Sequence, residues 1–317
     1  MAAGLVALTL ATAAAAAPRD PDRRDRGEFW AEVVSPHRAQ VGAIKRALRD
    51  ALGVLTSDWS PEQRERVVVE ATRLARHART LAPDDPELGY YLGALADEAG
   101  LADEAARRLA EFAARAPRGP TRTDALLRLG RLALRRGEPA AALGPLRQAL
   151  GERADRRSST VAAVYLAHAL DGVGRTGDAV ELLALRVEAA TGSWEAEDAL
   201  EWLTLAVIYD RDEQITHAFD LVVRAQQALS GSYAERLEAG LALAPPVPAA
   251  ELHYHRAFLY ETAGFLHEAR AEWLAYVRLP TALAPARARA HLAALDRLLA
   301  ERRPGRAPAP AARRRTP

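Results

Sequence analysis

Eight histidines, 43 basic and 42 acidic side chains, and no cysteine set the reactive inventory of this 317-residue chain. Without a thiol there is no disulfide, no thiolate metal site, no cysteine nucleophile and no lipidated N-terminal Cys. His253 and His255 lie two residues apart on an expected helix, so they point to different faces and that spacing does not join them on one metal. No H-E-x-x-H occurs, and His217 and His267 fall near the starts of expected helices. A solvated or locally hydrogen-bonded imidazole is the expectation for all eight. The densest acidic spot, Asp210-Arg211-Asp212-Glu213, lacks the glycine and the closing glutamate of a calcium loop and reads as an acidic turn feeding a helix. Neither G-x-G-x-x-G, nor a P-loop, nor a G-x-S-x-G elbow is present. The expectation is a chain without catalytic residues, cofactor or metal.

The composition points to the elements that carry these residues. Hydrophobic residues make up 49% of the chain but aromatics only 6%. The apolar content is mainly Ala and Leu, accompanied by Arg and Glu, all good helix formers. Runs rich in Val, Ile or Thr are nearly absent, which favours an all-α protein over a sheet protein. The net charge of +1 gives no global pull toward nucleic acid.

Small residues recur at a fixed interval. Gly100, Gly137 and Gly174 are 37 residues apart, as are Ala105, Ala142 and Ala179, and Gly93 precedes Gly130 by the same step. Further on, Gly264 precedes Ala269 by the same five residues that separate Gly100 from Ala105. A glycine just past a helix end adopts the left-handed conformation at little steric cost. A small alanine on the next helix lets two antiparallel helices approach closely. Each unit therefore reads as a helical hairpin: Pro86–Ala99 with Leu101–Ala116, Arg122–Arg136 with Pro139–Leu150, Ser159–Val173 with Gly177–Ala190, Glu195–Asp210 with Gln214–Leu229, and Pro248–Ala263 with Leu266–Val277. A less regular pair, Pro36–Leu52 and Pro61–Leu81, precedes them, and Pro285–Arg302 follows as a capping helix. Residues 230–247 read as an insertion between the fourth and fifth hairpins.

The pattern resembles the tetratricopeptide repeat family, which places Trp-x-x-Leu-Gly/Ala-x-x-Tyr on its first helix and Ala-x-x-x-Phe-x-x-Ala on its second. Trp202, Leu205, Ala206, Tyr209, Ala218, Val222 and Ala225 fit best, and the other units offer Leu92 and Gly93, Leu129 and Gly130, Leu166 and Ala167, and Ala257 and Tyr260. The spacing of 37 to 39 departs from the family's usual period, and Asn, which the family's carboxylate clamp uses, is absent from the chain. The resemblance implies a right-handed superhelical solenoid of about five to six stacked antiparallel helix pairs spanning residues 36–302. It also implies a concave groove, lined by the first helices, that takes peptides or helices of partner proteins. The groove residues expected to bind a partner are Tyr90, Asp97, Arg131, Arg135, His168, Asp171, Tyr254 and Phe258, with Arg131 and Arg135 placed to grip a carboxylate.

The two ends differ from this body. Residues 1–17 form an apolar stretch followed by small residues that fit a cleavage site, which reads as a signal peptide without a basic start. Residues 18–35 read as a flexible linker, and 303–317, rich in Arg, Pro and Ala, as a disordered tail that could touch an anionic envelope surface weakly. The functional expectation is a non-enzymatic, exported or periplasmic scaffold for other proteins or peptides, with no nucleic-acid partner, that assembles an envelope complex. A cytoplasmic adaptor or regulatory module is the alternative.

Overall fold

The computed structural model describes residues 35–55, 59–152, 155–189, 195–229, 232–246, 249–280 and 283–301. Among these residues every regular element of any length is a helix. In chain order the helices are α1 (Pro36–Val54), α2 (Pro61–Leu81), α3 (Pro86–Glu98), α4 (Ala102–Arg115), α5 (Pro120–Arg135), α6 (Pro139–Gly151), α7 (Arg156–Gly172), α8 (Thr176–Ala189), α9 (Ala196–Arg211), α10 (Ile215–Leu229), α11 (Tyr233–Leu243), α12 (Ala250–Thr262), α13 (Leu266–Val277) and α14 (Pro285–Glu301). The chain divides within α7 into two compact units, residues 1–162 and 163–317. The expected signal peptide, most of the linker, and the C-terminal tail lie outside the described residues. Among the described residues no helix is long and apolar enough to cross a membrane.

Local chemistry sets the helix starts. Pro36, Pro61, Pro86, Pro120 and Pro139 each stand in a first turn, where a missing N–H costs nothing. Ser60 caps α2 in a reciprocal box with Gln63, and Asp85 accepts from the Glu87 amide at the start of α3.

The hairpin corners share one hydrogen-bond pattern. At Gly100, φ is 75°, its amide donates to the Asp97 carbonyl at 3.1 Å, and the Leu101 amide donates to the Ala96 carbonyl at 2.8 Å. The same pair of bonds closes the corners at Gly137, Gly174 and Gly264, with φ of 72°, 76° and 83°. This is the Schellman closure, which satisfies carbonyls that a helix end would otherwise leave bare. A further corner sits at Glu213, whose φ of 57° is the one positive value carried by a side-chain-bearing residue among the described residues. Glu213 and Gln214 donate to the Asp210 and Tyr209 carbonyls as at the glycine corners. The acidic turn expected at 210–213 is therefore this corner, except that Asp210 itself belongs to α9 and is buried.

Five residues past each corner comes a buried alanine: Ala105, Ala142, Ala179, Ala218 and Ala269. Seven residues before the first two corners come Gly93 and Gly130. A Cβ on Gly93 would stand 2.9 Å from Leu109 Cγ, and one on Gly130 would overlap Leu146 outright. Each hairpin closes to a distance that only these small residues permit.

Residues 230–247, expected as an insertion, carry a helix of their own. They contain α11, which packs on α9. Gly240 marks the contact: a Cβ there would lie 2.9 Å from the Ala196 carbonyl oxygen and 3.0 Å from the Leu200 amide. Tyr233, Leu237 and Leu241 are buried with it.

Candidate functional site

In the first unit the expected binding residues Tyr90, Asp97, Arg131 and Arg135 converge, with Tyr90 and Asp97 on α3 and the arginines on α5. Asp97 is buried with no side-chain exposure. It accepts from Arg131 at 2.6 Å, from Arg128 at 3.0 Å, and from Arg135. Burial alone would raise the Asp97 carboxyl, but the Arg131, Arg135 and Arg128 guanidiniums overcome it and hold the group below the ordinary carboxylate value. Arg128 also bonds Glu98 at 2.9 Å and Asp124 at 2.8 Å, and the Tyr90 hydroxyl donates to Asp124 at 2.7 Å. Arg64 of α2 reaches Glu98 at 3.3 Å. Burial and the neighbouring Asp124 push the Tyr90 phenol well up, so it stays a neutral donor.

The second unit holds its own network around Asp210. That carboxylate accepts from the Tyr254 hydroxyl at 2.6 Å, from Arg287 Nη2 at 2.5 Å, and from His291 Nε2 at 3.0 Å. Burial would raise Asp210, yet these partners, His291 foremost, bring it down to about 2. His291 Nδ1 faces Glu261 at 3.0 Å, and its ring stacks on Trp273 at 4.7 Å. Burial would depress this imidazole, but its bonds to Asp210 and Glu261 raise it to about 9, so at neutral pH it is an imidazolium between two carboxylates. Trp273 Nε1 donates to the same Glu261 at 2.8 Å. Beside this network Arg211 pairs with the buried Glu251, lies 4.5 Å over the Tyr254 ring, and approaches Asp171 at 3.8 Å.

One register runs through both units. Asp97, Asp171, Asp210 and Glu261 each stand three residues before a left-handed corner, and each pairs with a cation. At the second corner Leu134 takes that place and is buried without charge. The cations for Asp97 lie on the following first helix of the same unit, α5, and those for Asp210 and Glu261 lie on α14. The position is legible in the sequence as an acid three residues before every corner but the second. It goes unnoticed if the glycines alone are followed.

No family model matches the chain, and no curated protein matches it by sequence. Among solved structures it is similar to a tetratricopeptide repeat protein from Parabacteroides merdae ATCC 43184, at 12% identity and a TM-score of 0.45 over 85% of this chain and 96% of that one. It is also similar to a Rap protein complexed with competence and sporulation factor, at 13% identity and a TM-score of 0.44 over 95% of this chain and all of that one.

The structure places the expected groove residues in two groups. Tyr90, Asp97, His168, Tyr254 and Phe258 are buried within their units. Arg131, Arg135 and Asp171 reach the surface, with side-chain exposures of 32%, 43% and 19%. The carboxylate gripped by Arg131 and Arg135 in this state is Asp97 of the chain itself. Both arginines use one terminal nitrogen on Asp97, and Arg131 Nε is buried without a hydrogen-bond partner.

The histidines also depart from expectation. His168 and His255 are buried in the second unit with ring centroids 5.4 Å apart, and neither Nε2 has a partner. His255 Nδ1 lies 2.8 Å from the Glu251 carbonyl and must be its donor. Burial, reinforced by the Arg211 charge, lowers His168 to about 3, and burial lowers His255 well below its usual value. The two-residue spacing puts His253 and His255 on different faces, one half-exposed and the other core. Among the described residues no group of three or more His, Cys, Asp or Glu could hold a metal ion.

Proposed function

We propose that this chain is a non-enzymatic protein-interaction scaffold, exported to the periplasm or cell surface, that holds partner peptides or helices and helps assemble an envelope complex. The observation that carries the reading is the repeated corner with its paired acid. It locks successive first helices of a unit in register and yields a preformed surface, which lowers the ordering cost of binding. The groups best suited to chemistry, Asp97, Asp210 and His291, are committed to one another across helices. That commitment suits rigidity better than turnover. Arg131 and Arg135 retain unused guanidinium donors at the surface of the first unit, so they suit a second carboxylate brought by a partner. Export rests on residues 1–17 alone.

The test is capture by the full chain from the envelope fraction of its own cells, compared with an Arg131→Gln plus Arg135→Gln variant. Gln is chosen because Glu would set two acids against the buried Asp97. The expected outcome is a protein partner recovered by the native chain and depleted by the variant, together with mature chain lacking residues 1–16 or 1–17 outside the cytosol. Recovery of no partner above background overturns the scaffold reading. Full-length chain confined to the cytosol overturns export and favours the adaptor alternative.

A further inference from the structure

A second basic feature lies apart from these networks, in the first unit. A cavity of about 390 Å³ is lined by Arg76, Arg79 and Thr80 near the C-terminal end of α2, by Leu92 of α3 and by Arg108 of α4. Two glycines of α3 lie close to the cavity's arginines. Arg79 Nη1 lies 4.0 Å from where a Gly89 Cβ would sit, and Arg108 Cβ lies 3.1 Å from where a Gly93 Cβ would sit. A methyl at Gly89 would meet the Arg79 guanidinium in ordinary contact, whereas one at Gly93 would press on the Arg108 stem.

Its charge is unbalanced. Arg108 Nε bonds Glu104 at 2.8 Å. Among the described residues Arg76 and Arg79 have no carboxylate partner, and both are exposed. The Thr80 hydroxyl donates to the His77 carbonyl at 2.7 Å, which leaves guanidinium N–H groups as the donors facing the hollow. Three guanidiniums from two helices, one neutralised, surround a floor that includes Leu92. Planar guanidinium forks match carboxylates two bonds at a time, and three separated forks with an apolar floor suit a run of acidic side chains with aliphatic stems. The near-neutral chain as a whole provides no broad field for a long polyanion such as a nucleic acid.

We propose that this cavity is a docking site for an acidic stretch of a partner protein, held through carboxylates by Arg76, Arg79 and Arg108. The proposal rests on the scaffold reading and gives it a second contact point.

The experiment uses the full chain and fluorescein-labelled hexaglutamate, with fluorescence anisotropy at low ionic strength. The expected result is saturable binding that weakens with added salt, falls at least tenfold in an Arg76→Glu plus Arg79→Glu variant, and is unchanged in Arg175→Gln, which alters an exposed arginine of the second unit. Hexalysine should not bind. Far-UV circular dichroism confirms that the exposed substitutions leave the helices intact. Equal affinity in the Arg76 and Arg79 variant, or no binding by the native chain, overturns the proposal. Displacement of hexaglutamate by inorganic phosphate at equal anion concentration also overturns it, in favour of a simple anion site. If hexaglutamate fails while the envelope capture above succeeds, the cavity proposal falls and the scaffold reading stands.

Discussion

Replacing Asp97 with Ala separates a buried ionic lock from ordinary surface charge. The Asp97 side chain has no solvent exposure and meets three guanidiniums of the next first helix. Removing one partner of a buried pair costs about 3–5 kcal/mol, because the remaining charge loses its compensation in low dielectric. Two features put this case at the lower end. Arg131 and Arg135 are partly exposed and can turn to water, and Arg128 keeps Glu98 and Asp124. The expected loss is therefore about 3 kcal/mol in the first unit. The control is Asp103→Ala, which breaks a pair with Arg136 whose acid is fully exposed, and no measurable loss is expected there. Hydrogen exchange of peptides from α3 and α5 under increasing urea reads the unit directly, without assuming that both units unfold together. Asp97 is held below its ordinary value of 3.8, so its contribution is complete above that pH and is lost as pH falls through the lower folded value. Native and variant exchange should converge in acid. An Asp97→Ala loss no larger than that of Asp103→Ala would refute the reasoning.

Glu213→Gly relieves a left-handed φ carried by a side chain and should stabilise the second unit by about 1 kcal/mol, whereas Gly137→Ala should destabilise the first by a similar amount; urea midpoints check both. Gly240→Ala pushes a methyl into the α9 backbone and should cost about 1–3 kcal/mol, read as faster exchange of α11 peptides. Stability of the second unit should peak near pH 6.5. His168, lowered to about 3, and His255, also lowered, withdraw stability as pH falls below the unfolded histidine value. His291, raised to about 9, gives stability that is complete below 6.5 and lost as pH rises through 9. A His291→Gln variant should flatten the alkaline limb in pH-dependent urea unfolding.

The hairpins were legible because their determinants are local. A left-handed glycine, a small residue at the crossing and a proline in the first turn act within a few residues, and the fixed offset from Gly100 to Ala105 recurs at each later unit. The corner at Glu213 was legible as an acidic turn, but its left-handed backbone was not, since Glu seldom adopts it, and α11 went unassigned within the insertion because its packing partner is α9 rather than its sequence neighbour. The site was legible only in part. Register placed Tyr90, Asp97, Arg131 and Arg135 on one side of successive helices, but their mutual bonding depends on the separation of α3 and α5, which no one-dimensional pattern encodes. Burial of His255 near a half-exposed His253, and the basic hollow beside Leu92, arise from helices meeting across sequence distance.

The most direct measurement is photo-crosslinking in the native cells, with a photoreactive amino acid at position 79 or 135 of the full chain. Both side chains are exposed, and replacing Arg135 leaves Asp97 paired with Arg128 and Arg131. The expected result is a discrete crosslinked protein from at least one position, recovered from the envelope fraction and absent from a control with the probe at the buried position 146. Crosslinks to no protein from either position would contradict a scaffold that works by holding partners.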